Sequence, residues 1–202
     1  MGGDNENPMW PFRHRSKYVP RMPGLFPSPP DSRDIPLGAV VSTFGTSELP
    51  SEYIVPRFRD LPVDYQKQQP SCVANSCTKI KEHQEVLESN TYTDFSAQFQ
   101  YALSKKLDGN KYWGTSLRQG LKVLEKYGAC PIQTFGDNPS LSMEDYNDWQ
   151  KIMPEAYYAA EPYRIGGYAR INAAILENVK QAIFSAGSVL MGVFVSSGGW
   201  QT

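Results

Sequence analysis

Apolar side chains recur at intervals of three and four residues between residue 72 and about residue 89. This spacing is typical of a helix that buries one face and exposes the other. The face that we expect to be buried carries Val73, Cys77, Ile80, Gln84 and Leu87. The charged residues between them are expected to face water, and they are Lys79, Lys81, Glu82 and Glu85. The pattern therefore predicts an amphipathic helix that begins at Cys72.

Two further helices are indicated downstream. The first lies near residues 94–107, where apolar and aromatic residues stack on one side and are interpreted as core. The second begins at Ser116, because serine followed three positions later by glutamine is a capping pattern, and it ends at Gly128. The middle of the chain is therefore predicted to be mainly helical.

The last third of the chain mixes helix and strand signals. A short helix is predicted over residues 142–152, and the aromatic residues of 157–168 are interpreted as strand-like. Asn172 is predicted to cap another helix, which ends at Gly187. The apolar residues 188–195 then predict a buried strand.

The first 48 residues form a proline-rich leader. Such a composition favours an extended chain with little hydrogen-bonded structure. Trp10, Phe12, Leu25 and Phe26 are expected to bury against something, since apolar residues in an extended arm act as anchors. The leader is interpreted either as a clasping arm or as a tether to a larger assembly.

The composition excludes several classes of function. The chain has 202 residues, of which 40% are hydrophobic, which is enough to bury a core as one or two domains. The chain has 20 basic and 21 acidic residues, so it lacks the excess of positive charge that is typical of proteins that bind nucleic acid. No run of about 18 apolar residues predicts a membrane span. Because the N-terminus has neither the basic start nor the apolar run of a secretory signal, we expect the cytoplasm or a virus particle.

Cys72 is the candidate nucleophile. A cysteine in the first turn of a helix faces free backbone N–H groups and the positive end of the helix dipole, which favour the thiolate. Six residues earlier, Gln66 offers an amide that can donate to the oxygen of a tetrahedral intermediate. The pair indicates acyl transfer. The alternative is a small core residue, which is the usual role of cysteine on an amphipathic helix.

The other two cysteines carry no predicted chemistry. Cys77 lies on the same helix, nearly half a turn round from Cys72, and is interpreted as core. A bridge between Cys77 and Cys130 is left open. The spacing of cysteine and histidine does not indicate zinc, and neither a metal nor an organic cofactor is implied.

The order of segments around Cys72 resembles that of the papain-like cysteine peptidases, in particular their viral and bacterial branch. The runs that carry the resemblance are Arg57-Phe58-Arg59-Asp60, Gln66 with Ser71-Cys72, Phe95-Ser96-Ala97-Gln98-Phe99, Gly114-Thr115-Ser116-Leu117-Arg118 and Tyr127-Gly128-Ala129-Cys130-Pro131. The resemblance covers roughly residues 49–195. It implies an α+β fold, with a helical domain over residues 49–170 and the start of a β-rich second domain over residues 171–202.

The resemblance also implies a function. Cys72 would attack a peptide bond of a peptide or protein substrate, while Gln66 and a backbone N–H hold the oxyanion. Trp113, Gly114 and Thr115 would line the non-primed side of the substrate cleft, where glycine lets a peptide backbone approach closely. An ordinary loop before a helix is the alternative for these three residues.

The sequence departs from the family pattern beside the nucleophile. Where many members have a disulfide cysteine, a glycine and a tryptophan, this chain has Gln69, Pro70 and Val73. The first change removes a disulfide. Pro70 stiffens the loop that presents the thiol and removes one N–H donor.

The catalytic histidine of the family is expected about 130 to 150 residues after the nucleophile, a window that opens at Thr202. His83 lies eleven residues along the same helix, about 16 Å from Cys72, which is too far to accept its proton. His14 in the leader is interpreted as a solvated loop histidine. The sequence therefore predicts either the front part of a longer peptidase or an inactive scaffold that serves as an interaction protein.

Overall fold

The computed structural model describes residues 24–41, 48–109 and 113–193. Its helices and strands are β1 (Leu25–Phe26), α1 (Leu37–Val41), α2 (Cys72–Ser89), α3 (Ala97–Asp108), β2 (Thr115–Ser116), α4 (Leu117–Lys126), α5 (Met143–Tyr146), α6 (Pro154–Ala160) and α7 (Leu176–Ala186). Short 3-10 helices cover Phe58–Asp60, Trp149–Lys151 and Glu161–Tyr163. The described residues are therefore rich in helix, and their two short strands form one parallel pair.

Helix α3 lies at the centre of the core. It packs against both α2 and α4, and α2 also contacts α4. All residues of α3 from Ala97 to Lys105 are buried, because neighbours cover more than one face of the helix. The predicted cap of α4 is confirmed, since the hydroxyl of Ser116 accepts a hydrogen bond from the backbone N–H of Gln119 at 3.3 Å.

Helix α2 has the predicted bounds, but its charged face is buried. Glu82 is fully buried and Lys81 is 5% exposed, so the prediction that they face water is wrong. Each is paired within the helix, Glu82 with Lys79 and Lys81 with Glu85. Burial nevertheless raises the pKa of Glu82 to about 7. Ion pairs between neighbouring turns thus let α2 be covered on its polar side. On the predicted apolar face Val73 and Cys77 are buried, whereas Leu87 is 42% exposed, so its predicted burial is wrong.

Three predictions for the last third of the chain need correction. Residues 154–163 are helical, not strand-like, because Pro154 starts α6 at its first turn. Asn172 forms a turn by accepting from the N–H of Ala174, and α7 begins only at Leu176. Residues 188–193 form no strand, since no backbone among the described residues pairs with them. Residues 194 and 195 of that predicted strand lie outside the described residues.

Part of the leader crosses the helical body as an extended segment, which we call the strap (residues 24–37). At its start, β1 pairs in parallel with β2, with Leu25 opposite Thr115. At its end, the backbones of Ile35 and Leu37 exchange hydrogen bonds with Arg170. The predicted anchoring is confirmed for Leu25, which packs against a core cluster. Trp10 and Phe12 lie outside the described residues.

Candidate functional site

The first turn of α2 directs its free backbone N–H groups to the sulfur of Cys72. Ser71 precedes the helix, but its hydroxyl does not cap it; the hydroxyl accepts instead from the side-chain amide of Asn75 at 3.0 Å. The backbone N–H groups of Cys72 and Val73 lie at the start of the helix beside the Cys72 sulfur and act to lower the pKa of the thiol. This arrangement is the one that stabilises a thiolate at a helix N-terminus.

Burial opposes that stabilisation and raises the pKa of Cys72 above its ordinary value. The other two cysteines are more deeply buried. Burial raises the pKa of Cys77 to about 12 and that of Cys130 to about 11. All three cysteines are free, and only Cys72 is partly exposed. Among the three thiols, Cys72 is therefore the one that a reagent or a substrate can reach.

The loop before α2 is held by two glutamine side chains. Gln66 is half-buried, and its amide donates to the carbonyl of Gln69 at 2.9 Å across a tight turn. Gln69 is buried and donates to the carbonyls of Pro139 and Leu141, at 3.2 and 2.8 Å. Gln69 thus ties this loop to another segment by hydrogen bonds. The oxyanion role of Gln66 stays a prediction, since its amide is directed at the loop backbone.

The strap covers Cys72 at Gly24. The backbone of Gly24 lies against the Cys72 sulfur, and its N–H acts to lower the pKa of that thiol. A Cβ atom on Gly24 would lie 3.0 Å from that sulfur and 2.0 Å from the carbonyl oxygen of Pro70. Only glycine fits between these atoms without displacing backbone. The strap therefore passes directly over the candidate nucleophile.

The predicted substrate-binding residues lie where the strap enters, along a segment that we call the rim (residues 114–118). Trp113 comes just before the rim and is half-buried, while Gly114 and Thr115 are buried. The N–H of Thr115 donates to the carbonyl of Gly24 at 2.8 Å. Gly114 has a φ of +93°, and a Cβ atom there would lie 2.7 Å from the same carbonyl oxygen. The rim thus receives an extended backbone beside Cys72, although its role toward substrate stays a prediction.

Sequence reasoning missed the side chains that hold the rim. They are one helical turn apart on α3: Tyr101 accepts from the N–H of Gly114 at 2.9 Å, and Lys105 donates to its carbonyl at 2.8 Å. Asp108, one turn further on, accepts from the hydroxyl of Thr115 at 2.9 Å. The signal in the sequence was this series of side chains with polar ends at intervals of four and three residues along one helix.

The strap is also held by an ion pair on α4. The guanidinium of Arg118 donates to both carboxylate oxygens of Asp34, and the Nε–Oδ1 distance is 3.0 Å. Both side chains are 12% exposed. The same guanidinium donates to the carbonyl of Pro29, and the backbone N–H of Arg118 donates to the hydroxyl of Ser28 at 3.4 Å. Arg118 thus contacts the strap at three residues.

No described histidine reaches Cys72. His83 is fully buried eleven residues further along α2, where its ring bonds the carbonyl of Pro56 at 2.8 Å and contacts Ser188 at 3.3 Å. These contacts make His83 a part of the core, and it is not placed to accept the proton of Cys72, as the sequence predicted. His14 lies outside the described residues.

A protein of known structure shares this fold. Xylellain, a cysteine protease from Xylella fastidiosa, is similar over 85% of this chain, with a TM-score of 0.64 and 22% sequence identity. The chain spans 65% of the length of the xylellain chain. No protein-family model matches the chain, and a search of the curated proteins finds no match. The helix-rich described residues therefore have the fold of a cysteine protease.

In the described ranges there is no helix that is both long enough and apolar enough to cross a bilayer.

Proposed function

We propose that this chain is a papain-like cysteine peptidase of the viral and bacterial type, kept latent by its own strap. The observation that carries the proposal is the placement of Cys72. Its sulfur lies at an uncapped helix N-terminus, within a fold that a cysteine protease shares, and next to a rim that already pairs with an extended chain.

The chemistry assigns each group one role. The Cys72 thiolate attacks the carbonyl carbon of the scissile bond, and the oxygen takes up negative charge. The backbone N–H of Cys72, together with Gln66, donates to this oxygen once the Gln66 amide turns from the Gln69 carbonyl. The amine then leaves with a proton, and water hydrolyses the thioester. A histidine outside the described residues supplies and accepts the protons, and its position beyond Thr202 stays a prediction.

The pairing of the rim with the strap supports the binding of a peptide, because the strap is itself an extended chain bound at this edge. Thr115 donates to the strap backbone at Gly24, and Leu25 packs its side chain into the cluster that contains Leu117 and Leu190. A substrate needs the same edge, so the strap must leave before a substrate binds. The leader thus acts as an intramolecular inhibitor; gripping of a larger assembly by residues 1–23 remains an alternative role for the rest of it.

The domain boundaries of 49–170 and 171–202, and a location in the cytoplasm or a virus particle, stay predictions that accompany this proposal.

A thiol-directed peptidyl epoxide tests the nucleophile. Incubation of the whole protein, followed by peptide mapping with mass spectrometry, should give one adduct at Cys72 and none at Cys77 or Cys130. The Cys72→Ser variant should give no adduct. If the epoxide modifies Cys77 or Cys130 in place of Cys72, Cys72 is not the nucleophile.

The second candidate is an inactive peptidase scaffold that acts as an interaction protein. It is favoured by the raised pKa of Cys72 and by the burial of His83, the histidine that the described residues contain. If iodoacetamide alkylates Cys72 but the peptidyl epoxide does not, the thiol is accessible without being activated, and this candidate becomes the better account.

A further inference from the structure

Arg118 lies on the rim, and the path of the strap shows how far it is from the candidate nucleophile. The strap crosses the sulfur of Cys72 at Gly24, pairs with β2 over Leu25–Phe26, and reaches the backbone N–H of Arg118 at Ser28. Ser28 lies four positions after Gly24 along an extended chain, which corresponds to about 13 Å at roughly 3.3 Å per residue. Arg118 is therefore within reach of a peptide residue three or four positions from the reacting carbonyl.

The strap supplies an acid to Arg118. Asp34 approaches from a turn of the strap and accepts two hydrogen bonds from the guanidinium in a bidentate arrangement. The planar guanidinium matches a carboxylate in this geometry, which makes such pairs stronger and more specific than single contacts. Arg170 lies 3.7 Å from the same carboxylate, at the outer and more exposed side. The strap thus places the carboxylate of Asp34 between the guanidinium groups of Arg118 and Arg170.

Among the described residues, no carboxylate outside the strap is hydrogen-bonded or ion-paired to Arg118. The two carboxylates that raise the pKa of Arg118 are Asp34 and Asp31, and both belong to the strap. When the strap leaves the rim, both leave with it. The guanidinium of Arg118 then lies at the rim with its fork of donors available, and a planar guanidinium favours a carboxylate in a bidentate arrangement.

We infer that Arg118 is a specificity residue of the cleft. Because the rim is proposed to line the non-primed side, a substrate chain crosses it in the direction opposite to the strap, and Arg118 selects peptides with an aspartate or glutamate three or four residues N-terminal to the reacting carbonyl. This inference rests on the proposed function. The strap uses the same interaction through Asp34, so it competes with acidic peptides for Arg118 as well as for the rim backbone.

Two peptidyl vinyl sulfones test the inference without requiring turnover. Both carry leucine at the second residue from the reactive group, and they have either glutamate or glutamine at the third and fourth residues. The second-order rate constant for modification of Cys72 is measured for each on the full chain. The ratio of the two rate constants is the readout, because the equilibrium of the strap affects both reagents equally and cancels.

The expected ratio is about tenfold in favour of the glutamate reagent, which is the effect of a charge-assisted pair of about 1.4 kcal/mol. In Arg118→Gln the ratio should fall to about one, whereas Arg118→Lys should keep part of it because the charge remains. Asp34→Asn is the matched control: it loosens the strap and raises both rate constants, but it should leave the tenfold ratio unchanged.

The two possible failures are distinguishable. A ratio near one in both the unmodified protein and Asp34→Asn, with both peptide reagents faster than methyl vinyl sulfone, overturns the role of Arg118 and leaves the peptidase proposal standing. If neither peptide reagent is faster than methyl vinyl sulfone in Asp34→Asn, the cleft binds no peptide, and the proposed function fails together with the inference.

Discussion

The strap and the rim lie against each other beside Cys72, but they are held in different ways. The rim is buried, and the side chains of Tyr101, Lys105 and Asp108 fix it from within α3. The strap is mostly exposed beyond Gly24, and it is held by backbone pairing, by Arg118 and by Arg170. The rim is thus part of the core, whereas the strap lies on the surface of the core and covers the rim.

This difference determines which part can move. Removing buried hydrogen bonds from the rim leaves polar groups without partners, which costs stability. Lifting the strap exposes mainly groups that water can solvate, because few of its side chains are buried. In a peptidase that is latent in this way, the rim already has the conformation that binds a peptide, and only the strap must leave. The predictions that follow separate the two parts.

Gly24→Ala should detach the start of the strap. Its Cβ atom would lie 2.0 Å from the Pro70 carbonyl oxygen, a contact that backbone must move to relieve. Strain of about 3 kcal/mol corresponds to roughly a hundredfold change in the strap equilibrium. The rate of Cys72 alkylation by iodoacetamide, measured by mass spectrometry of each cysteine, should rise by a comparable factor.

Gly38→Ala is the matched control, because nothing lies within 4 Å of a Cβ atom there. It should leave the alkylation rate unchanged. If Cys77 and Cys130 react faster in parallel with Cys72, the substitution has loosened the whole fold, and the strap is not a separate layer.

Tyr101→Phe should weaken the rim. The substitution leaves the N–H of Gly114 without the acceptor that it has at 2.9 Å. A buried unpaired donor costs about 1 to 3 kcal/mol, and urea unfolding should report a loss in that range. Tyr158→Phe, at a side chain that is 74% exposed, should change the unfolding free energy by no more than a few tenths of a kcal/mol. Equal losses in the two variants would show that the hydroxyl of Tyr101 does not support the rim.

The pH dependence of Cys72 alkylation should shift when the strap leaves. Burial is the largest influence on this thiol and raises its pKa, against the N–H donors that lower it. In Gly24→Ala both the burial by the strap and the N–H of Gly24 are lost, while the donors of α2 remain. Because burial has a larger influence than the Gly24 donor, the midpoint of the pH profile should move to lower pH. An unchanged midpoint, at an increased rate, would mean that the strap limits access only and does not affect ionisation.

Asp34→Asn should have the smallest effect, because it removes one anchor and leaves β1 paired with β2. Ion pairs near the surface contribute up to about 1 kcal/mol, so the alkylation rate of Cys72 should rise about threefold. Asp31→Asn is the control, since Asp31 pairs with Arg33 within the strap itself. A larger effect for Asp31 than for Asp34 would contradict the assignment of Arg118 as the anchor.

The helices of the core could be predicted because their signals are local. The cap at Ser116 and the start of α2 at Cys72 depend on residues within one turn. The burial of Glu82 could not be predicted in this way. It depends on α2 being covered on its polar side and on the ion pair with Lys79, and neither is a property of a single helix.

The same contrast holds at the site. Cys72 was identified from its place at a helix start, and the structure puts it there. The contact of Gly24 with the sulfur joins residues 48 positions apart, and the Arg118 and Asp34 pair joins residues 84 positions apart. Nothing in the local pattern of the leader indicates either partner, so the sequence predicted an anchored arm without showing that it covers the nucleophile.

Hydrolysis of fluorescein-labelled casein tests the central claim most directly. It is measured with the natural full-length protein, which in this account includes the proposed histidine, and it compares the unmodified protein, Gly24→Ala and the double variant Gly24→Ala with Cys72→Ser. The account predicts that Gly24→Ala cleaves casein faster than the unmodified protein and that the double variant does not cleave it. If Gly24→Ala has a readily alkylated Cys72 but cleaves no more casein than the double variant, the uncovered thiol is not a peptidase nucleophile, and the claim is contradicted.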